Sequence, residues 1–130
     1  MKWTLLISVL GMFVATACSD QVVQETFDDP AKHNMKFIPD HPDITTGIKL
    51  IVFDDCNYNI LSGITRKGNN IDIQKAFNGM MKRPCLIQND TIVIGNLSAG
   101  SYTIHYKLMN IAYTPAIPAL SLTFPLYVSR

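Results

Sequence analysis

At 130 residues the chain has room for one domain, and its 16% charged content lies below the ~25% usual for soluble domains. The formal net charge of +1 conceals six acids and two bases between Ser19 and Thr45, then eight bases and four acids from Thr46 onward. Those later bases are scattered rather than clustered, which argues against nucleic acid as a partner and for an ordinary solvated surface.

Met1–Ala17 has the parts of a secretory signal: Lys2 as the positive start, an uncharged and largely apolar run from Trp3 to Val14, and small residues at Ala15-Thr16-Ala17. The apolar run is too short to span a bilayer, which needs about 20 residues. The segment is therefore excluded from the fold. Val14-Ala15-Thr16-Ala17-Cys18 resembles the lipobox of bacterial lipoproteins, whose cysteine becomes the lipidated first residue; the departure is Ala15, where many lipoboxes carry Leu. The resemblance implies lipidation of Cys18 and a firm acyl anchor in a bacterial membrane, with the outer membrane of the cell envelope as the expected address. Ordinary cleavage after Ala17, releasing a secreted protein, is the alternative.

The chain holds three cysteines, an odd number for an exported protein. If Cys18 carries lipid, Cys56 and Cys85 remain as a possible disulfide in an oxidising compartment. Closing that loop of ~30 residues would contribute roughly 3–4 kcal/mol in the chain-entropy model, which matters for a domain of roughly 85 residues. Two unrelated thiols are the other reading.

Ser19 to Thr45, with Pro30, Pro39, Pro42 and six acids, reads as a flexible acidic tether that buries too little to repay ordering. Within it, Met35-Lys36-Phe37-Ile38 is expected to dock on the domain as a short edge segment. His33 and His41 sit among Asp40 and Asp43 but match no familiar metal-ligand spacing, so no metal is expected.

From residue 46 the grammar becomes that of strands. Ile48-Lys49-Leu50-Ile51-Val52-Phe53 reads as a central strand covered on both faces, ended by Asp54-Asp55-Cys56-Asn57. Asn59 to Ile64 reads as a short strand ending at Gly63, and Arg66 to Asn70 as a polar, basic loop. In 71–81 two periods compete: Ile71 and Ile73 alternate as in a strand, while Ile73, Ala76, Phe77 and Met80 fall at helical spacing. Thr91–Gly95 is β-branched and reads as a strand, and Asn96–Gly100 as a turn. Tyr102, Ile104, Tyr106 and Leu108 then alternate with Thr103, His105 and Lys107, as a half-buried antiparallel strand requires. Leu120, Leu122, Phe124, Leu126 and Val128 repeat the pattern, and Pro125 on the opposite parity makes this an edge strand. The sum is a mainly β fold, a small antiparallel β-sandwich of the immunoglobulin-like or transthyretin-like kind over residues 46–130, with room for one short helix in the middle.

Ile94-x-x-Leu97-x-x-Gly100-x-Tyr102-x-Ile104 resembles the hairpin of carboxypeptidase-regulatory-like and related transthyretin-like domains. Gly47 with Leu50 and Val52, followed by Leu61-Ser62-Gly63-Ile64, is loosely similar to the opening of those domains. The basic loop, the stretch 71–81 and the long C-terminal strand depart from their pattern. The resemblance implies a seven-stranded sandwich with a non-catalytic, accessory role, and it supplies no binding residues.

Catalytic grammar is sparse. His105 stands alone on a polar strand face. Paired carboxylates would have to come from Asp54, Asp55, Asp72 or Asp90, and the sequence has no phosphate loop, zinc spacing or nucleophile elbow. No enzyme and no cofactor are expected. Tyr113, Pro115, Ile117 and Pro118 are expected to cap the open end of the sandwich; exposed, they would form a contact site. The leading expectation is therefore a membrane-anchored, non-enzymatic binding or scaffolding module of the cell envelope, presented to an envelope protein or glycan. The alternative is a small inhibitor of a protease or cell-wall-lytic hydrolase, inserting Asn110–Leu120 or Arg66–Asn70. A third reading is an enzyme built around His105 and Asp54.

Overall fold

The computed structural model describes residues 26–130. The leader, Cys18 and the start of the acidic segment lie outside the described residues. Seven strands are described: β1 (Met35–Ile38), β2 (Ile48–Cys56), β3 (Ile60–Lys67), β4 (Asn70–Phe77), β5 (Ile87–Gly95), β6 (Gly100–Asn110) and β7 (Ile117–Val128). They form two sheets, ordered β1-β2-β5 and β3-β4-β6-β7, which makes the chain a small β-sandwich.

Alternation decides what lies between the sheets. Ile48, Leu50 and Val52 of β2 and Ile92 of β5 face Ile71 and Ile73 of β4, Ile104 and Tyr106 of β6, and Leu122, Phe124, Leu126 and Val128 of β7. Phe37 of β1 meets Phe124 edge to face, with ring centroids 6.0 Å apart, a favoured aromatic geometry. β7 is an edge strand, and the Pro125 nitrogen turns to its open side, where the Thr123 N–H reaches Asp28, so its missing N–H costs no ladder bond.

Several expectations are corrected. β2 is central in its sheet but covered on one face only, since Lys49 and Phe53 are exposed. β3 does not stop at Gly63; it runs to Lys67, and the basic loop contracts to the two residues Gly68-Asn69, with Gly68 at φ +61° as a tight hairpin demands. Where two periods compete in 71–81, the strand prevails over residues 70–77. That stretch lies between β3, antiparallel to it, and β6, parallel to it, so both ladders satisfy its backbone and the helical spacing of Ala76 and Met80 goes unused. The β4–β6 pair also makes the larger sheet mixed rather than wholly antiparallel. It arises because β5 leaves for the opposite sheet and the chain returns in the same direction.

For the same reason Ile94–Ile104 is not a hairpin. β5 pairs with β2 while β6 pairs with β4 and β7, so Asn96–Ala99 arches from one sheet to the other. Leu97 is buried in that arch, and the Tyr102 hydroxyl donates to the Ser98 carbonyl at 2.8 Å, the local contact of a tyrosine corner.

The flexible acidic tether expected up to Thr45 is also corrected. The Asp28 carboxylate accepts the Thr123 N–H at 2.8 Å, and a 3₁₀ turn follows at Pro30–His33, its first turn capped by Asp29. β1 pairs with β2, burying Met35 and Phe37, and Asp43 bridges to Ser129. Two inward apolar residues and a free edge on β2 suffice to recruit a segment whose composition alone reads as linker. Among the described residues no helix is long and apolar enough to cross a membrane.

Candidate functional site

Strand parity places a lysine in the core. Ile71, Ile73 and Lys75 share the inward face of β4, and Lys75 is fully buried. Its ammonium meets two carboxylates from the other sheet, Asp55 of β2 and Asp90 of β5, the latter with Nζ–Oδ2 at 2.5 Å. Asp90 reaches inward by simple alternation with Ile92. Asp55 gets there through a bulge. Val52 pairs with Asp90 and Asp55 with Gln88, so Phe53 and Asp54 together oppose the single residue Asn89. Asp54 takes the extra step at φ +51°, and its N–H donates to the Asn89 side chain at 3.2 Å. Without that insertion Asp54 would face the core and Asp55 the solvent. Asp54-Asp55 is thus a bulge inside a strand, rather than the strand terminator that composition suggests.

The cluster is closed by polar partners. Asn59 Nδ2 donates to Asp55 Oδ1 at 2.8 Å, which leaves Oδ2 for Lys75. The Asp55 side chain is 10% exposed and the Asp90 side chain 36%, so Asp90 is the group in contact with water. Tyr106 is buried alongside, and its hydroxyl is pushed above the usual tyrosine range, chiefly by burial and further by the negative charge of Asp55 and Asp90. The cluster joins the two sheets by charge where their neighbours join by apolar contact.

Of the paired carboxylates considered from sequence, the fold unites Asp55 with Asp90 and leaves Asp54 and Asp72 exposed. Lys75 went unrecognised as their partner. The available signal was its parity with Ile71 and Ile73, once 71–77 is read as strand. His105 lies on the outer face of the other sheet from Asp54, with only Asn70 Oδ1 at 3.4 Å, so those two are not brought together. Asp43 is occupied by the Thr45 N–H (2.8 Å) and hydroxyl (2.6 Å), which hold its carboxyl below the ordinary aspartate value. Asp40 pairs with Lys36 at 3.6 Å on the surface, and among the described residues no three His, Cys, Asp or Glu side chains converge.

Cys56 and Cys85 lie at disulfide distance, with Cα atoms 5.3 Å apart. They lie at the end of β2 and in the β4–β5 loop, which also holds Met80 and Met81. This end of the sandwich is apolar and open. Met80 is 77% exposed, Ile87 69% and Ile60 66%, with Leu86, Ile111, Tyr113 and Ile117 also exposed. Tyr58, Ile60, Phe77, Met81, Arg83 and Ile111 surround a hollow of about 250 Å³ there. The late loop therefore does not cap the core as expected: Tyr113, Pro115, Ile117 and Pro118 are all exposed. A wider groove of about 520 Å³ beside the 3₁₀ turn is lined by Met35, Phe37 and Phe53 with the surface charges Asp29, Lys36 and Asp40.

The opposite end is closed by Leu97 and Tyr102, and Arg66 lies over the Tyr102 ring at 5.3 Å. Phe27 lies there too, beside Ser101, Thr103 and Tyr127. Compared with protein-family models, with curated proteins and with solved structures, the chain matches none.

Proposed function

We propose that this chain is an exported lipoprotein, anchored through Cys18 and held in the bacterial cell envelope, whose β-sandwich is a non-enzymatic module that binds an envelope partner with its distal end. The observation that carries the reading is the opposition of the two ends. Phe27 joins the domain near Thr103 and Tyr127, while the exposed Met80, Ile111 and Tyr113 lie past Asn110. From Thr103 to Asn110 a strand advances about 24 Å at ~3.4 Å per residue. Phe27 therefore lies at one end of the domain and the exposed apolar loops at the other. Exposed apolar loops on a rigid sheet scaffold are characteristic contact surfaces. The accessory role implied by the transthyretin-like resemblance agrees with this reading.

The test is affinity capture from intact envelopes with the anchor preserved, using the natural chain, a Met80→Gln/Ile111→Gln/Tyr113→Ser variant and a tag-only control. The expected result is a partner held by the natural chain and lost by the variant. A natural chain that retains nothing beyond the tag alone, or a variant that retains the same partner equally well, counts against the proposal.

A further inference from the structure

We propose that Lys75 and Asp55 form an intramolecular amide bond, with Asp90 as the proton carrier and Asn59 as the oxyanion donor. The argument begins with placement. Lys75 is fully buried and its Nζ touches only carboxylate oxygens among its polar partners. A carboxylate oxygen within hydrogen-bond reach of an amine brings its carbonyl carbon to about 3–3.5 Å, the separation of a near-attack conformer. Fixed in this way, an amine and an acid react with an effective concentration of about 10⁵–10⁸ M. The full burial of Lys75 keeps bulk water from the attacking amine.

Roles follow from the remaining contacts. Asp55 is the acyl donor because its two oxygens are already differentiated: Oδ2 faces Lys75, and Oδ1 accepts from Asn59 Nδ2 at 2.8 Å. A donor on Oδ1 stabilises the negative charge that develops there as the carbon becomes tetrahedral. Asp90 is less buried than Asp55 and lies 2.5 Å from the same nitrogen, so it can carry a proton between nitrogen and leaving oxygen while remaining in contact with solvent.

The step balances without any further reagent. The Lys75 ammonium gives one proton to Asp55 Oδ2. The free amine attacks Cγ, forming the C–N bond and leaving charge on Oδ1. Asp90 takes a second proton from the nitrogen and delivers it to Oδ2, whose bond to carbon breaks as water departs. The carbonyl reforms at Oδ1 and Asp90 returns to a carboxylate. An ammonium and a carboxylate become one amide and one water. The product covalently joins β4 of one sheet to β2 of the other, one residue from Cys56.

The test is peptide mapping by mass spectrometry of the full-length protein, purified natively, then reduced and denatured. Trypsin should fail to cleave after Lys75, and a branched peptide should carry residues 55 and 75 with the mass of one water missing. The Asp90→Asn and Asn59→Ala variants, each checked for the native β-sheet spectrum, should lose most of that species, and Lys75→Arg all of it. Quantitative cleavage after Lys75 in the folded natural protein overturns the proposal. So does a water deficit that fragmentation places at any other residue pair, including Lys75 with Asp90. A full yield of cross-link in Asp90→Asn would overturn the role given to Asp90.

Discussion

Near Ile48, Ile104 and Val128 the two sheets meet over apolar side chains alone; toward Cys56 and Ala76 they meet across Lys75, Asp55 and Asp90. The first half also has a lid, with Leu97 buried in the arch between sheets and Tyr102 of β6 buried beneath it. The second half has none, and its loops expose methionine, isoleucine and tyrosine. The contrast shows how a small domain can leave one end open. Where apolar closure is missing, Cys56 and Cys85 lie at disulfide distance and the Lys75, Asp55 and Asp90 cluster joins the sheets. The open end is then free to be used.

The contrast can be broken most severely at Lys75. Lys75→Met should destabilise the domain by about 3–5 kcal/mol in urea titration, because it strands two carboxylates at the sheet interface. Lys75→Met/Asp55→Leu/Asp90→Leu should regain most of that loss, since apolar replacements of a whole buried cluster are often neutral or better. If the single variant is as stable as the natural protein, the cluster does not join the sheets.

Next in size is the disulfide. With Cys56 and Cys85 separated by 29 residues, Cys56→Ser/Cys85→Ser should cost about 3–4 kcal/mol, a fall of roughly 15–25 °C in the thermal midpoint. A change of only a few degrees would show that the open end is held by packing after all.

The smallest effect sharpens the comparison by pH. Tyr106 has a folded-state pKa raised by burial and by the two nearby carboxylates, so the folded protein keeps a proton that the unfolded chain releases at about pH 10. Its contribution is complete below that pH and is lost above it. Stability should fall by up to about 1.4 kcal/mol for each further pH unit, and Tyr106→Phe should flatten that part of the profile. Equal slopes in both proteins would remove Tyr106 from the cluster.

Much of the fold is legible in the sequence because a strand with one wet face writes its own parity. The alternations Tyr102–Leu108 and Leu120–Val128 identify two strands, the inward residues and an edge. The docking of residues 35–38 as a short edge segment is legible too, and β2 supplies the free edge that they join. The illegible parts depend on partners: residues 70–77 become strand because strands flank them on both sides. Ile94–Ile104 has the spacing of a hairpin, yet its two arms pair in different sheets, and no local pattern encodes that choice. The interior cluster is hidden more deeply. One inserted residue, Asp54, reverses the parity of Asp55, so alternation read without the bulge turns the cluster's first carboxylate outward. Its lysine lies in the stretch where strand and helix periods compete.

The most direct measurement of the central claim is residue-resolved lysine acylation of the folded protein. Lys49, Lys67, Lys82 and Lys107 are exposed and should react readily, while Lys75, enclosed between the sheets, should remain unmodified until the protein unfolds, or even then if it is bonded to Asp55. Acylation of Lys75 in the folded protein at the rate of Lys49 would contradict the account, for it would place that amine outside the core.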